Sequence, residues 1–322
     1  MTVARMAALG LAACTLALLI GCSSSDDNFL YLNVSERAAW SSGNLLSYAS
    51  FGADGQRYLY RSNSEGGNKF LLTRSANKPD SFIDEGGWHP AFSPDGATIV
   101  FSGRRNKGSV SLMLMNTIQG DRAAITNLTD ATVTGTDQQP CYRPDGAKII
   151  FSTTKVIGGQ GTGGPDIATI NPDGTGLEYV VATAEIEQWP VYSPDGSKIA
   201  FQRGPASGPT DIIIRDMATG VETNITAGLR RGAGDVSRFE APCWTTVGGT
   251  EYIYLHSNRD TFFEIYRVGV DGSNLERITN TSNSEGFPVM NPDGTRLLFT
   301  RDRELWSSAP TGGTEKRVTR RY

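Results

Sequence analysis

The chain has 322 residues, 20% of them charged, a formal net charge of −4, 37 glycines and only two histidines. That length is ample for a sizeable core. The acidic balance excludes a broad electrostatic grip on nucleic acid, and the one basic cluster, Lys316, Arg317, Arg320 and Arg321, reads as a solvated edge.

Met1 to Arg5 is a short basic lead, followed by an apolar run from Met6 to Ile20. The run is too short for an ordinary spanning helix and has the flanks of a secretory signal. Leu19-Ile-Gly-Cys22 then resembles the lipobox of bacterial lipoproteins. The resemblance implies a signal peptide over 1–21 and a diacylated Cys22 as the mature terminus. Residues 22–35 then form a polar, lipid-anchored tether. Ser23 points toward the outer membrane, with the folded part in the periplasm. Cys22→Ser is expected to abolish palmitate labelling. Asn28-Phe-Leu-Tyr-Leu-Asn33 is either a clasp strand for the last blade or an arm before the first.

Residues 36–322 are organised by one recurring unit. It begins weakly at Ala38 to Tyr48 and recurs at Trp88 to Phe101, Gln139 to Phe151, Pro190 to Phe201, Ala241 to Tyr254 and Phe287 to Phe299. Each copy enters a turn, usually Pro-Asp-Gly, and leaves as a short β-former run. Pro presets φ at the second turn position and Gly accepts the positive φ that closes it. The matching glycines, Gly43, Gly96, Gly146, Gly196, Gly249 and Gly294, are spaced 53, 50, 50, 53 and 45 residues apart. A second half of each unit, best seen from Phe263 to Thr279, again reads strand, Gly-containing turn, strand. This period predicts an all-β fold: a six-bladed β-propeller with four antiparallel strands, A to D, in each blade. The six glycines are expected on one face. Cys141 and Cys243, at one repeat position two blades apart, are expected not to pair.

Ser193-Pro-Asp-Gly196 followed by Ile199-Ala-Phe201 is similar to the TolB-type propeller repeat. So are Ser257-Asn-Arg-Asp260, Glu264-Ile-Tyr266 and Asp271-Gly-Ser-Asn-Leu275. The resemblance covers about residues 36 to 320. It is specific for fold and says little of function, because its residues form turns and core. It implies a propeller of the kind found in periplasmic interaction proteins, before peptidase domains and in some polysaccharide-degrading proteins.

Catalytic parts are not evident. There is no Gly-x-Ser-x-Gly elbow. The two histidines, His89 just before a strand A and His256 at the end of a strand B, cannot supply the multi-histidine metal centre of propeller-type pectate-fragment lyases. Gly159-Gln-Gly-Thr-Gly-Gly164 precedes a strand, not a helix, so it reads as a loop and not a dinucleotide site. The Pro-Asp-Gly aspartates (Asp95, Asp145, Asp195, Asp293) read as turn formers, and Trp40, Phe92, Tyr142, Tyr192 and Trp244 as inter-blade core. No cofactor or metal site is expected.

The A–B and C–D turns are short and repetitive, whereas the D–A and B–C connections are long and differ between blades. Recognition usually uses such loops on a rigid frame. The residues before the strand-A proline position, Arg37, His89, Gln139, Trp189, Ala241 and Phe287, are expected to surround the loop-side mouth of the axial channel. An acid stands shortly before each: Glu36, Glu85, Asp137, Glu187, Glu240 and Glu285. Six carboxylates at one mouth would focus negative potential and receive a cationic partner segment or a metal-hydrated ligand, with Trp88 and Trp189 adding apolar contact. The bland reading is that each acid caps local backbone N–H groups in its own D–A loop. The expected function is a non-enzymatic envelope module binding a protein or peptide segment. The alternative is a glycan-binding or degenerate lyase-like propeller, suggested by Trp88, Trp189, Gln139 and Gln188.

Overall fold

A computed structural model describes residues 37–51, 57–73, 85–104, 108–117 and 125–319. The segment Asn28 to Asn33 and Cys22 lie outside the described residues. Six four-stranded antiparallel sheets follow one another along the chain. Blade 1 holds β1 (Ala39–Trp40), β2 (Leu45–Phe51), β3 (Arg57–Asn63) and β4 (Phe70–Leu71). Blade 2 holds β5 (Glu85–Phe92), β6 (Thr98–Arg104), β7 (Ser111–Asn116) and β8 (Ile125–Asn127). Blade 3 holds β9 (Asp137–Tyr142), β10 (Ile149–Thr153), β11 (Asp166–Ile170) and β12 (Glu178–Val181). Blade 4 holds β13 (Ile186–Tyr192), β14 (Lys198–Gly204), β15 (Asp211–Asp216) and β16 (Glu222–Asn224). Blade 5 holds β17 (Phe239–Val247), β18 (Thr250–Ser257), β19 (Glu264–Gly269) and β20 (Glu276–Arg277). Blade 6 holds β21 (Glu285–Met290), β22 (Leu297–Arg301), β23 (Glu304–Ala309) and β24 (Gly312–Arg317). The expected blade and strand counts are borne out.

A lone blade of this kind cannot cover both its faces, so neighbours must stack. Apolar clusters fill the seams. Phe101 and Leu59 share one between blades 1 and 2. Val100 and Phe151 share one between blades 2 and 3, and Phe201 and Ile150 one between 3 and 4. Ile214 and Phe239 join blades 4 and 5, and Tyr254 and Phe299 join 5 and 6. Trp40, Tyr48, Leu298 and Leu305 close blade 6 onto blade 1. The five aromatic residues read as inter-blade core all belong to these clusters. Each blade is built from contiguous sequence, so packing alone closes the ring among the described residues.

The turns behave as their residues dictate. Asp195 Oδ1 accepts the N–H of Ser197 at 3.0 Å and the Ser193 hydroxyl at 2.6 Å, while Gly196 takes φ +71°. Hydrogen bonds from Ser193 and Ser197 hold that carboxyl down at about 2. In blade 1, one residue shorter here, the left-handed position falls on Asn44 (φ 61°) and not on Gly43. Cys141 lies on β9 and Cys243 on β17, both free thiols, as expected from their separation.

A second device recurs at the end of strand D. Thr129, Thr226 and Thr279 each accept a strand-C N–H (Leu112, Ile212, Ile265) at 2.9–3.0 Å, and each hydroxyl meets a carboxylate. The carbonyl just before this threonine is met by a C–D turn glycine of the next blade. A Cβ on Gly272 would lie 2.7 Å from Ile225 O, and one on Gly312 2.7 Å from Ile278 O. Gly66 makes the closing contact: at φ +78°, its Cβ would stand 2.0 Å from the Val318 carbonyl of blade 6. Gly66→Ala therefore combines backbone strain with a backbone clash at the seam. It is expected to destabilise the ring by more than about 1 kcal/mol, read as a lower urea midpoint.

Candidate functional site

The site begins in the innermost strands. In blade 4 Gln188 pairs with Gln202 and Val191 with Ala200, so Trp189 and Pro190 face Phe201 alone. The same extra residue occurs in blade 3 between Gln138 and Cys141, in blade 5 between Glu240 and Cys243, and in blade 6 between Gly286 and Val289. Each is a β-bulge, which bends a strand and re-aims a side chain. Pro fits there because it has no N–H to leave unpaired. The residue before it takes a left-handed φ: 52° at His89, 57° at Gln139, 55° at Trp189, 48° at Ala241 and 55° at Phe287. Five non-glycine residues in a sparsely populated region, at one repeat position, indicate that packing holds them there.

That packing is a plug on the channel axis. The Trp189 ring lies 4.9 Å from both His89 and Phe287, and His256 lies 5.1 Å from Phe287. Trp189, Ala241 and Phe287 form an apolar cluster of their own. Gln139 Oε1 accepts the Trp189 N–H at 2.9 Å, and His256 Nδ1 accepts that of Phe287 at 3.1 Å. The Arg37 guanidinium stands over the Trp189 ring at 6.0 Å and donates to Pro242 O. The expected rim residues thus fill the channel. His89, Gln139, Trp189, Ala241 and Phe287 are all at most 9% exposed. His89 sits inside β5 and not before it, because strand A starts earlier than its proline suggests. Of the four residues that suggested a glycan, Trp189 and Gln139 are buried in the plug. Trp88 and Gln188 are half-buried, Trp88 beneath the Arg57 guanidinium at 5.5 Å.

Asp137, Glu187, Glu240 and Glu285 are also inside the strands, and each of these four is compensated. Asp137 meets the Lys155 ammonium at 2.6 Å and accepts from Thr129 and Thr153. Glu187 accepts from Arg203 at 2.9 Å, Glu240 from Arg238 at 2.6 Å, and Glu285 from Arg301 at 2.6 Å. Burial pushes Glu187 above the usual carboxylate range. Thr183 and Thr281, from the preceding loops, add hydroxyls to Glu187 and Glu285. These carboxylates tie loop to strand by side chains more than by the backbone N–H groups expected of loop caps. Glu36 lies outside the described residues, and for Glu85 only the strand position is described.

Blades 5 and 6 share a carboxyl pair. Thr279 Oγ1 lies 2.7 Å from Glu264 Oε2 and 3.0 Å from Glu285 Oε2 while accepting the Ile265 N–H. A hydroxyl has one proton, so it can donate to only one of them. Burial, then the Glu264 carboxyl, pushes Glu285 up to about 8, against Thr281 and Arg301. Burial opposes the charge on Glu264 too, but hydrogen bonds from Glu285, Thr279, Thr281 and Arg277 hold it below the usual range. Between about 4.5 and 8 the folded chain keeps a proton on Glu285 that the unfolded chain has released. The stabilisation is complete below that window and fades as pH rises through it. Melting temperature should therefore fall from pH 5 to pH 8 more steeply in wild type than in Glu285→Gln, whose amide stays neutral.

The channel opens on the other face. A cavity of about 400 Å³ lies between the plug and the A–B turns. Its walls are apolar and rich in proline: Pro90 and Pro140 near the plug, Trp40, Phe92 and Met290 along the side, and Pro94, Pro144 and Pro292 at the mouth. Arg37 and Arg143 are the charged residues among its described lining residues, and Arg143 pairs at 3.4 Å with Asp145 of the same A–B turn. Cys141 is in the wall. Burial raises its thiol, with Arg37 acting the other way, so it is not poised as a nucleophile. This funnel was missed from sequence because its lining residues also read as turn and core formers.

No family profile matches the chain. An uncharacterised protein of Agrobacterium fabrum is 37% identical over 89 residues, 28% of this chain and 27% of that protein. A TolB homologue of Chlorobium luteolum is 40% identical over 55 residues, 17% of this chain and 12% of that protein. The chain thus matches only about a quarter or less of these relatives' lengths. A structure assigned to TolB from Agrobacterium tumefaciens superposes with a TM-score of 0.57 at 23% identity, over 71% of this chain and 79% of that one. TolB from Acinetobacter baumannii gives 0.54 at 20%, over 73% and 52%. An oligogalacturonate lyase in complex with manganese gives 0.57 at 13%, over 90% and 78%. At these identities the likeness is one of fold: the chain is a TolB-like six-bladed propeller.

Proposed function

We propose that this TolB-like propeller is a non-enzymatic binding module of the bacterial envelope, lipid-anchored through Cys22, that receives an extended segment of a periplasmic protein partner in its axial funnel. The funnel carries this reading. It is a concave, largely apolar site with few polar groups, the usual character of a ligand site. Its proline and aromatic walls suit an extended chain. Arg37 in the wall favours an acidic residue or a carboxyl end over a cationic segment, and Arg143 at the mouth, 3.4 Å from Asp145, can be shared with such a group. The half-buried Trp88 and Gln188 remain the candidates for contact on the loop side. Non-enzymatic action is favoured because both histidines pack in or against the plug and the wall thiol is held protonated.

Selection of displayed peptides on the full chain tests it. Extended apolar sequences bearing an acid are expected to enrich. Their affinity should fall at least about tenfold when Arg143→Glu reverses a charge at the mouth, the size expected for a desolvated charge contact. Ser42→Trp, which narrows the mouth, should act likewise. Peptides held equally by both variants would place recognition elsewhere.

A further inference from the structure

The innermost strand of each blade runs from the loop face toward the A–B turns. In blade 1, Arg37 lies at the plug, just before β1. Arg37, the first described residue, therefore stands at the axis on the plug, away from the A–B turns that form the funnel mouth.

On that loop face the D–A loop after blade 4 and the B–C loop of blade 5 pack together. Arg259 Nε donates to Leu229 O at 2.8 Å, and Arg231 pairs with Asp260. Val236 and Phe262 project from these loops, 66% and 48% exposed, with Arg231 beside them at 58%. The acids of the patch are engaged within it. Asp235 accepts the Arg231 N–H at 2.7 Å and also the Ser237 hydroxyl. Asp260 accepts from Tyr266 Oη at 2.8 Å as well as from Arg231. Val156, 48% exposed, projects from the B–C loop of blade 3 on the same face. Asp260 pairs with Arg259 as well, at 3.5 Å, so the apolar tips stand among ion-paired guanidinium groups, a mixture that suits the boundary between lipid headgroups and acyl chains.

We propose that the loop face rests on a phospholipid bilayer, with Val236 and Phe262 in the headgroup layer and Arg231 and Arg259 beside the phosphates. The orientation rests on the lipid-anchored reading, since the segment between Cys22 and Arg37 would tie the bilayer to the axis of this face. The patch itself does not depend on it. In this arrangement the funnel mouth points away from the membrane.

The test uses the full chain with phosphatidylethanolamine–phosphatidylglycerol vesicles, and two tryptophan probes. Phe262→Trp reports the patch, and Val221→Trp, at the 65% exposed C–D turn of blade 4, reports the opposite face. Brominated acyl chains are expected to quench the emission added by Phe262→Trp and not that added by Val221→Trp. Arg231→Glu combined with Arg259→Glu should reduce that quenching. Equal quenching of both probes, or of neither, overturns the proposal. Mass measurement of Cys22 acylation separates the two readings. An acylated chain whose Phe262→Trp is unquenched refutes the membrane contact and keeps the anchor. An unacylated chain still quenched on added vesicles keeps the contact and refutes the anchor.

Discussion

Replacing Lys155 by methionine is expected to cost about 3–5 kcal/mol, the loss typical of removing one partner from a buried ion pair. Lys155 is fully buried, and its ammonium contacts Asp137 at 2.6 Å, Ser111 Oγ at 3.1 Å and the Asp130 carbonyl at 2.6 Å. Three acceptors use its three protons. Without it, the Asp137 carboxylate, 1% exposed, keeps only the hydroxyls of Thr129 and Thr153. The desolvation of that charge is then no longer offset. A second variant decides whether the charge or the volume matters. Lys155→Met with Asp137→Leu removes both ions, and apolar replacement of a whole buried pair is often near neutral. The double variant should therefore unfold at higher urea than Lys155→Met alone. If the two midpoints coincide, the loss comes from packing and not from the stranded carboxylate.

Trp189→Ala is the second large effect, about 3–5 kcal/mol by the usual cost of deleting a buried large aromatic. The ring is wedged between His89 and Phe287, both 4.9 Å away, beneath the Arg37 guanidinium. Its left-handed backbone, φ 55°, is held by that wedge and by the Gln139 amide. Once the wedge is gone, the strain of the bulge has less to oppose it. The void would also join the funnel to the loop face. Trp189→Phe should lose less, and the ordering of the two variants in urea unfolding checks the account. A loss in Trp189→Ala no larger than in Trp189→Phe would show that the plug is loosely packed.

The ring was legible because its signals are local. A Pro-Asp-Gly turn carries its own backbone requirements, and six copies near a fifty-residue period leave few alternatives. The bulges were not legible, because an extra residue in strand A breaks the period-two alternation at the very position used to align the copies. Trp189, His89 and Phe287 therefore read as a rim when they are a core. The acids failed for a related reason. Taken along the chain they form six scattered carboxylates; in the fold Asp137, Glu187 and Glu285 find a base from strand B or just beyond it, and Glu240 finds Arg238 just before its own strand A. A usable signal was present, since Glu187 and Arg203, like Glu285 and Arg301, stand 16 residues apart. The bulge between Gln188 and Val191 is what brings such a pair into register. The funnel needs four blades at once, and no single repeat announces it.

Because every blade is contiguous and the blade 6 to blade 1 seam is closed by side chains and a glycine contact, the order of blades in the gene is separable from their order in space. The route from β24 to β1 passes from the outer rim to the axis, as the D–A loops between the other blades do. A linker of ordinary D–A length between Thr319 and Arg37, with new ends cut in the loop between Ile225 and Phe239, would give a circular permutant with whole blades and unchanged seams. The start of translation could thus be moved around the ring one blade at a time, carrying any fused anchor or reporter to a chosen sector while the funnel stays in place.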